Sequence, residues 1–389
     1  MQRMPTKPLL PFMTRSSVKK IMEKRYYFKR AACIALSAAV LFGASSCKKK
    51  TDESSDNTAN STSSSSVISE QTTQKTHDGK LNPLTGLYEK DFNAEGKRPF
   101  AVVVENSPAA RPQWGISTPD ILTEGLAEGG ITRMLLLYAD VGQIPKIGPL
   151  RSARHDFVEV AECFDAIFVH AGWSKYAKSK IKSDNVDNVN GIEGYKVPFF
   201  FRDSSRKSRG IEHSGYSDGE HISATADYLK YRRDVKSGYE NVLTFNSEDE
   251  ILKPAFADCG TVSFSFSSQN KHSLKFNSEK DAYFDSLNGS ARVDADGVQL
   301  NYKNILVLKC SVKLMGDSVG CVDMGLENQN TGYYASHGGY EKISWTRSGS
   351  GLNSKLVIND SQGQTLSMNA GNTYIAIVPT SQESTISFS

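Results

Sequence analysis

Hydrophobic and polar positions change their period once along this chain, near Lys253-Pro254. Before that point apolar runs alternate with amphipathic stretches; after it, apolar residues recur every second position, as in half-buried strands. The first part opens at Leu81-Asn82-Pro83-Leu84-Thr85-Gly86-Leu87, where proline and glycine punctuate apolar positions. Residues 100–104 are continuously apolar, which predicts a strand buried on both faces. Thr118-Pro119-Asp120 predicts a helix N-cap and first turn, with Ile121, Leu122 and Leu126 facing inward and Gly129-Gly130 as the stop. Residues 134–138 predict a second strand, and strand, crossover helix, strand implies a parallel pair. A helix over 152–163, a strand over 166–170, and helices over 174–181 and 223–233 complete this part.

In the second part, residues 261–267 place Val262, Phe264 and Phe266 on one face, and further strands are predicted over 305–309, 343–345, 355–358 and 374–378. The expected fold class is therefore an α/β N-terminal domain with a largely parallel or mixed sheet over 81–253. A β-rich C-terminal domain, an antiparallel sheet or sandwich, follows over 261–389.

The N-terminus has a different pattern. Lys19, Lys20, Lys24, Arg25, Lys29 and Arg30 precede an apolar run over 31–44, and Ser45-Ser46-Cys47 follows. Basic residues, a short apolar run and small residues before a cysteine describe a signal peptide over 1–47, too short for a spanning helix of about 20 residues. Ala44-Ser45-Ser46-Cys47 resembles a bacterial lipobox, which implies a lipid on Cys47 and a lipid-anchored protein on the extracytoplasmic face of the cell membrane. Residues 48–80 are lysine followed by Ser, Thr, Asn and Gln with almost no apolar residue, the composition of a disordered tether. Lys48, Lys49 and Lys50 beside the lipid favour anionic headgroups.

The chain has 389 residues and a formal net charge of +3, so no basic excess points to nucleic acid. Four cysteines lie beyond the tether, Cys163, Cys259, Cys310 and Cys321. Cys310 and Cys321 flank a predicted hairpin and are the best candidates for a disulfide. No Cys-x-x-Cys or His/Cys spacing suits zinc, so neither metal nor cofactor is expected. Asp294-Ala295-Asp296-Gly297 lacks the later acidic ligand of a calcium loop and predicts a turn.

Candidate chemistry concentrates at Gly148-Pro149-Leu150-Arg151-Ser152-Ala153-Arg154-His155. Ser152 is the expected helix cap, and Arg151 and Arg154 put fixed positive charge at a helix start whose free amides attract anions. Guanidinium groups bind phosphate or carboxylate bidentately. Ligands in open sheets gather at the carboxyl ends of strands, so the loop after His170 is expected to share this rim. The candidate ligand-binding set is Arg133, Arg151, Ser152, Arg154, His155, His170 and His213. The histidines enter because only imidazole titrates near neutrality unaided. Glu124, Glu128, Asp156 and Glu159 are the internal carboxylates that could pair with the arginines instead.

Several motifs in order carry a family resemblance: Arg98-Pro99-Phe100-Ala101-Val102-Val103-Val104-Glu105-Asn106, Ala110-Arg111-Pro112-Gln113-Trp114-Gly115, Glu128-Gly129-Gly130-Ile131-Thr132-Arg133 and Gly148-Pro149-Leu150-Arg151-Ser152-Ala153-Arg154. With Gly338-Gly339-Tyr340, Trp345 and Asn369-Ala370-Gly371-Asn372-Thr373-Tyr374, the chain from Asn82 to Pro379 resembles the YerB-like family of bacterial lipoproteins. The resemblance implies two domains of unknown function and a lipoprotein address. His213 and Tyr216 match that family's pattern, but Ser214 stands in its asparagine position. Asp285 and Arg292 replace its arginine and histidine, so a site built on those two positions is expected to be altered.

Two functions follow from these residues. The first is a membrane-anchored protein that binds an anionic envelope ligand, such as a phosphate-bearing polymer or lipid-linked precursor, or an envelope protein partner. The second is an enzyme on a phosphate-containing envelope substrate. Ile131-Thr132-Arg133-Met134 and Pro149-Leu150-Arg151-Ser152 are weakly similar to LytR-CpsA-Psr phosphotransferases, which usually carry aspartate where Ser152 stands.

Overall fold

The computed structural model describes residues 77–389. The signal sequence, Cys47 and most of the tether lie outside the described residues. Among the described residues no helix is long and apolar enough to cross a membrane. Lys80–Leu81 pairs with Tyr88–Glu89.

One mixed sheet organises the rest. Its N-terminal strands are β1 (Phe100–Glu105), β2 (Ile121–Leu126) and β3 (Thr132–Tyr138). Helix α1 (His155–Cys163), β4 (Ile167–His170), α2 (Lys175–Ser183), β5 (Asn188–Asn190) and α3 (Gly219–Tyr228) follow. The C-terminal half adds β6 (Thr261–Ser267), β7 (Asn270–Asn277), β8 (Ala282–Leu287), β9 (Asn304–Cys310), β10 (Asn330–Ser336), β11 (Gly339–Ser348), β12 (Lys355–Asn359), β13 (Thr373–Pro379) and the short β14 (Ser387–Phe388). In the central sheet the strands run β11, β10, β9, β13, β2, β3, β1, β4, β5, with β12 beside β11. Strands from residues 304–379 thus complete the sheet begun by residues 100–190. β13 lies parallel between β9 and β2, pairing Tyr374 with Leu122 and Ile375 with Thr123.

The fold class agrees with the sequence reading, a mixed sheet with helices followed by antiparallel-rich β structure. Individual elements differ: β7, β8 and β10 lie where no strand was expected, and one expected helix is absent. Residues 121–126 are a strand, not a helix, and β1 and β3 are consequently antiparallel, with Phe100 opposite Tyr138. Ile121–Leu126 is hydrogen-bonded on both edges, and five of its six residues are buried. A strand buried on both faces has no polar/apolar alternation, so its apolar positions can mimic a helical face. Gly129 and Gly130, both at positive φ, turn the β2–β3 hairpin instead of ending a helix. The last helix is also displaced, to Gly219–Tyr228, because Asp218 caps it through the His221 amide.

Alternation along the central strands builds two cores. Ala101, Val103, Leu135 and Leu137 pack against Phe157, Val158 and Ala161 of α1. Val102, Val104, Met134 and Leu136 face Phe264, Phe266, Leu274 and Tyr283 of a second, antiparallel sheet of β8, β7, β6 and β14. A buried phenylalanine contributes roughly 1.5–3 kcal/mol by the water it sheds, so both faces hold the central sheet. The four described cysteines are buried and unbridged, so the expected pairing of Cys310 with Cys321 is not made.

Candidate functional site

The segment from Gly148 to Arg154 is extended, and α1 begins at His155. Its backbone is fastened on both sides: Leu150 bridges to Val104, the Arg151 amide donates to the Val103 carbonyl, and Ala153 bridges to Trp173. Ser152 therefore does not cap the helix. Its Oγ donates to the Ala171 carbonyl at 3.3 Å, and Arg154 takes the N-cap position without a side-chain cap.

This threading brings Arg151 and Arg154 to Arg133 of β3. Arg133 is 1% exposed. Its Nη2 donates to Glu128 Oε1 at 2.9 Å, while its Nε and Nη1 have no hydrogen-bond partner. Arg154 holds the other oxygen: Nε donates to Glu128 Oε2 at 2.9 Å and Nη2 stands 2.7 Å from it. The remaining Arg154 nitrogen donates to the carbonyls of Ser152 and Ala153. Arg151 Nε lies 3.5 Å from Oε1 of the buried Glu105, whose Oε2 pairs with His213 Nδ1 at 2.8 Å. Three guanidinium groups thus face two carboxylates. Burial, and then the charge of Arg154, lowers the Arg133 guanidinium to about 10. Burial opposes ionisation of Glu128 too, but Arg133 and Arg154 hold it below the usual carboxylate range.

The structure gathers Arg133, Arg151, Arg154 and His213 around Glu105 and Glu128. The other three expected residues point elsewhere. Ser152 is bound to the Ala171 carbonyl as described. His170 is wholly buried, with Nδ1 2.7 Å from the Gly172 carbonyl and Nε2 3.1 Å from Asn188 Oδ1, so both ring nitrogens are satisfied inside the core. His155 turns toward Asp156 and Tyr176. His155, Asp156 and Asp323 form the one group of possible metal ligands found among the described residues. Of the internal carboxylates, Glu128 does pair with the arginines, whereas Glu124 is committed elsewhere.

Glu124 anchors a network that sequence reasoning missed. Its Oε1 accepts Thr132 Oγ1 at 2.6 Å and Asn106 Nδ2 at 2.8 Å; its Oε2 accepts Tyr374 at 2.9 Å and stands 2.9 Å from Arg292 Nη1. Asp285 joins Arg292 at 3.1 Å and His272 at 3.0 Å. Asp285 and Arg292, the two positions expected from the resemblance to be altered, are therefore partners. Burial opposes every charge here, yet Arg292 and His272 hold Glu124 well below its ordinary value, and Asp285 and Glu124 raise His272. Two acids face two bases, and Glu124, His272 and Asp285 are fully enclosed. Charge balance and closure make this a structural network. The available signal was polar residues set inside otherwise apolar strands, which single-strand periodicity cannot pair.

Comparison with known proteins places these observations. Residues 84–232 match the family described as "Protein of unknown function (DUF3048) N-terminal domain", and residues 262–375 match its C-terminal domain. The chain is 34% identical over 311 residues to "Putative lipoprotein YerB" of Bacillus subtilis (strain 168), covering 78% of this chain and 88% of that protein. The crystal structure of YerB from Bacillus subtilis superposes with a TM-score of 0.65 at 30% identity, over 77% of this chain and 96% of the other. With both family domains matched in order and YerB covered almost end to end, this chain belongs to the DUF3048 family, to which its motifs and its mixed sheet both lead.

Proposed function

We propose that this protein is a lipid-anchored envelope protein that holds an anionic ligand, phosphate or carboxylate, at Arg133, Arg151 and Arg154. The anchoring part rests on the lipobox-like Ala44-Ser45-Ser46-Cys47 and on a relative whose name calls it a lipoprotein. It puts the folded part on the extracytoplasmic face, with residues 48–80 as the tether.

One observation carries the binding part: Arg133 is buried with Nε and Nη1 unpartnered, where three guanidinium groups meet. A buried donor without a partner costs roughly 1–3 kcal/mol, more when charged, so a fold that keeps one there has a use for it. Glu128 supplies the logic of the site. It sits on the glycine-containing β2–β3 turn, partly exposed, and its carboxylate occupies the fork between Arg133 and Arg154 that a ligand carboxylate or phosphate would take. The ligand enters past Arg151, whose side chain is 31% exposed, and displaces Glu128 toward solvent.

Binding is preferred to phosphoryl transfer because Ser152 replaces the expected aspartate and its hydroxyl is committed to the Ala171 carbonyl. The test is calorimetry of the full chain in detergent with a polyprenyl phosphate and with a polyglycerol phosphate. Wild type is expected to bind one of them with an affinity that falls as salt rises, and Arg151→Ala to weaken binding and flatten that dependence. Binding equal at low and high salt, or unchanged in Arg151→Ala, rejects the assignment. Capture of an envelope protein with no phosphate affinity would favour a protein partner.

A further inference from the structure

The start of α1 carries a second group of side chains that the arginine site does not use. His155, Asp156 and Asp323 each present one ligand atom, and the three atoms lie within 4.8 Å of one another. Asp156 is 1% exposed. Its Oδ1 accepts the Met324 amide at 2.7 Å, but its Oδ2 has no hydrogen-bond partner and faces His155, whose Nδ1 stands 3.5 Å away. Asp323 approaches from the C-terminal half, one residue before the amide that fixes Asp156. Its own Oδ1 is held by the Gly325 amide at 2.9 Å. Both carboxylates are thus oriented by backbone N–H groups.

A carboxylate in the first turn of a helix complements the helix dipole, which accounts for an acid at this position. It does not account for a buried oxygen left without a donor, nor for a second carboxylate brought beside it, since like charges at close range oppose one another. A cation between them resolves both.

We propose that His155, Asp156 and Asp323 bind a divalent first-row transition ion of the Zn2+ or Mn2+ type. One imidazole nitrogen shifts preference away from Mg2+ and Ca2+, which favour all-oxygen sets, and the absence of thiolate shifts it away from soft ions. Bonds of about 2.0–2.2 Å at tetrahedral angles set donor atoms roughly 3.4 Å apart; His155 Nδ1 and Asp156 Oδ2 already stand 3.5 Å apart, so closure needs Asp323 to move inward by at most about 1.4 Å. Asp323, partly exposed on a short strand, can supply it. Bound there, the ion would tie α1 to the two-stranded hairpin of Lys313–Leu314 and Val322–Asp323.

The experiment is calorimetry of the full chain in detergent, stripped with EDTA and titrated separately with Zn2+, Mn2+, Mg2+ and Ca2+. The expected result is saturable binding of one Zn2+ or Mn2+, tighter than Mg2+ or Ca2+, with Asp156→Asn and Asp323→Asn each weakening it roughly tenfold or more. Asn at 156 retains the oxygen that accepts the Met324 amide, so folding is expected to survive and circular dichroism checks it. Should Asp156→Asn fail to fold, Asp323→Asn and His155→Gln decide. No saturable binding, Mg2+ or Ca2+ as tight as Zn2+ and Mn2+, or full affinity in the folded variants overturns the proposal.

Discussion

Arg133 and Arg154 hold opposite oxygens of one carboxylate, Glu128, at 2.9 and 2.7 Å. Glu128 is therefore the counter-ion of the site, and removing its charge leaves two guanidinium groups facing one another. Glu128→Gln is expected to cost about 2 kcal/mol, between the values for exposed and buried pairs. Added phosphate should then restore more stability to the variant than to wild type. Thermal melts with and without phosphate check this, and equal shifts in both proteins would remove Glu128 from the site.

Arg133 makes a less intuitive prediction. Replacing Arg133 leaves Glu128 still paired with Arg154 and removes one of two guanidinium groups that oppose each other's charge. Arg133→Met should leave urea stability unchanged or raise it by about 1 kcal/mol while abolishing phosphate binding, the signature of a residue kept for function. A loss of several kcal/mol would mean that Arg133 is structural.

The Glu124 network should behave in the opposite way. Glu124→Gln leaves Arg292 with one fewer counter-charge inside a closed core and is expected to cost about 3–5 kcal/mol. The double variant Glu124→Leu with Arg292→Leu removes one charge of each sign and leaves Asp285 beside His272. It should be more stable than either single leucine variant, and denaturant unfolding of the three proteins decides.

Glu162 of α1 predicts a pH dependence. Burial, and then the neighbouring Asp184 carboxyl, raise its carboxyl to about 7 even though Arg347 Nη2 lies 3.2 Å from its Oε2. The native protein thus retains a proton that the unfolded chain, with an ordinary Glu near 4.3, has already lost. Its contribution to stability is present at low pH and is lost as pH rises through about 7, with a slope of up to about 1.4 kcal/mol per pH unit. Glu162→Gln mimics the protonated side chain and should flatten the fall in melting temperature between pH 5 and 7.5. Parallel curves for the two proteins would contradict the assignment.

Much of the architecture was legible as runs of apolar residues. β1, β3, β4, α1, α2 and the C-terminal strands β6, β9, β11, β12 and β13 lie close to where hydrophobic pattern puts them, because burial of a face is a local property of sequence; β7, β8 and β10 were not read. β2 was not legible. Its conformation depends on β13, some 250 positions later, filling one edge, and no local pattern reports that partner. The arginine motif was visible as charge at a helix start, while Glu128 was only one of several carboxylates that could answer it.

Strand alternation marks the division most clearly. Glu105 and Asn106 are neighbours, as are Thr132 and Arg133. Asn106 and Thr132 turn to Glu124 on one face of the sheet, whereas Glu105 and Arg133 turn to the arginine site on the other. The sequence by itself determined many of the apolar strands, the arginines of residues 148–155 and the lipobox-like cysteine, since these follow from residue type and near neighbours. Tertiary structure alone decided which charges meet: partners distant in the chain become neighbours only when the sheet closes around β13, and closure leaves Arg133 buried with two donors free.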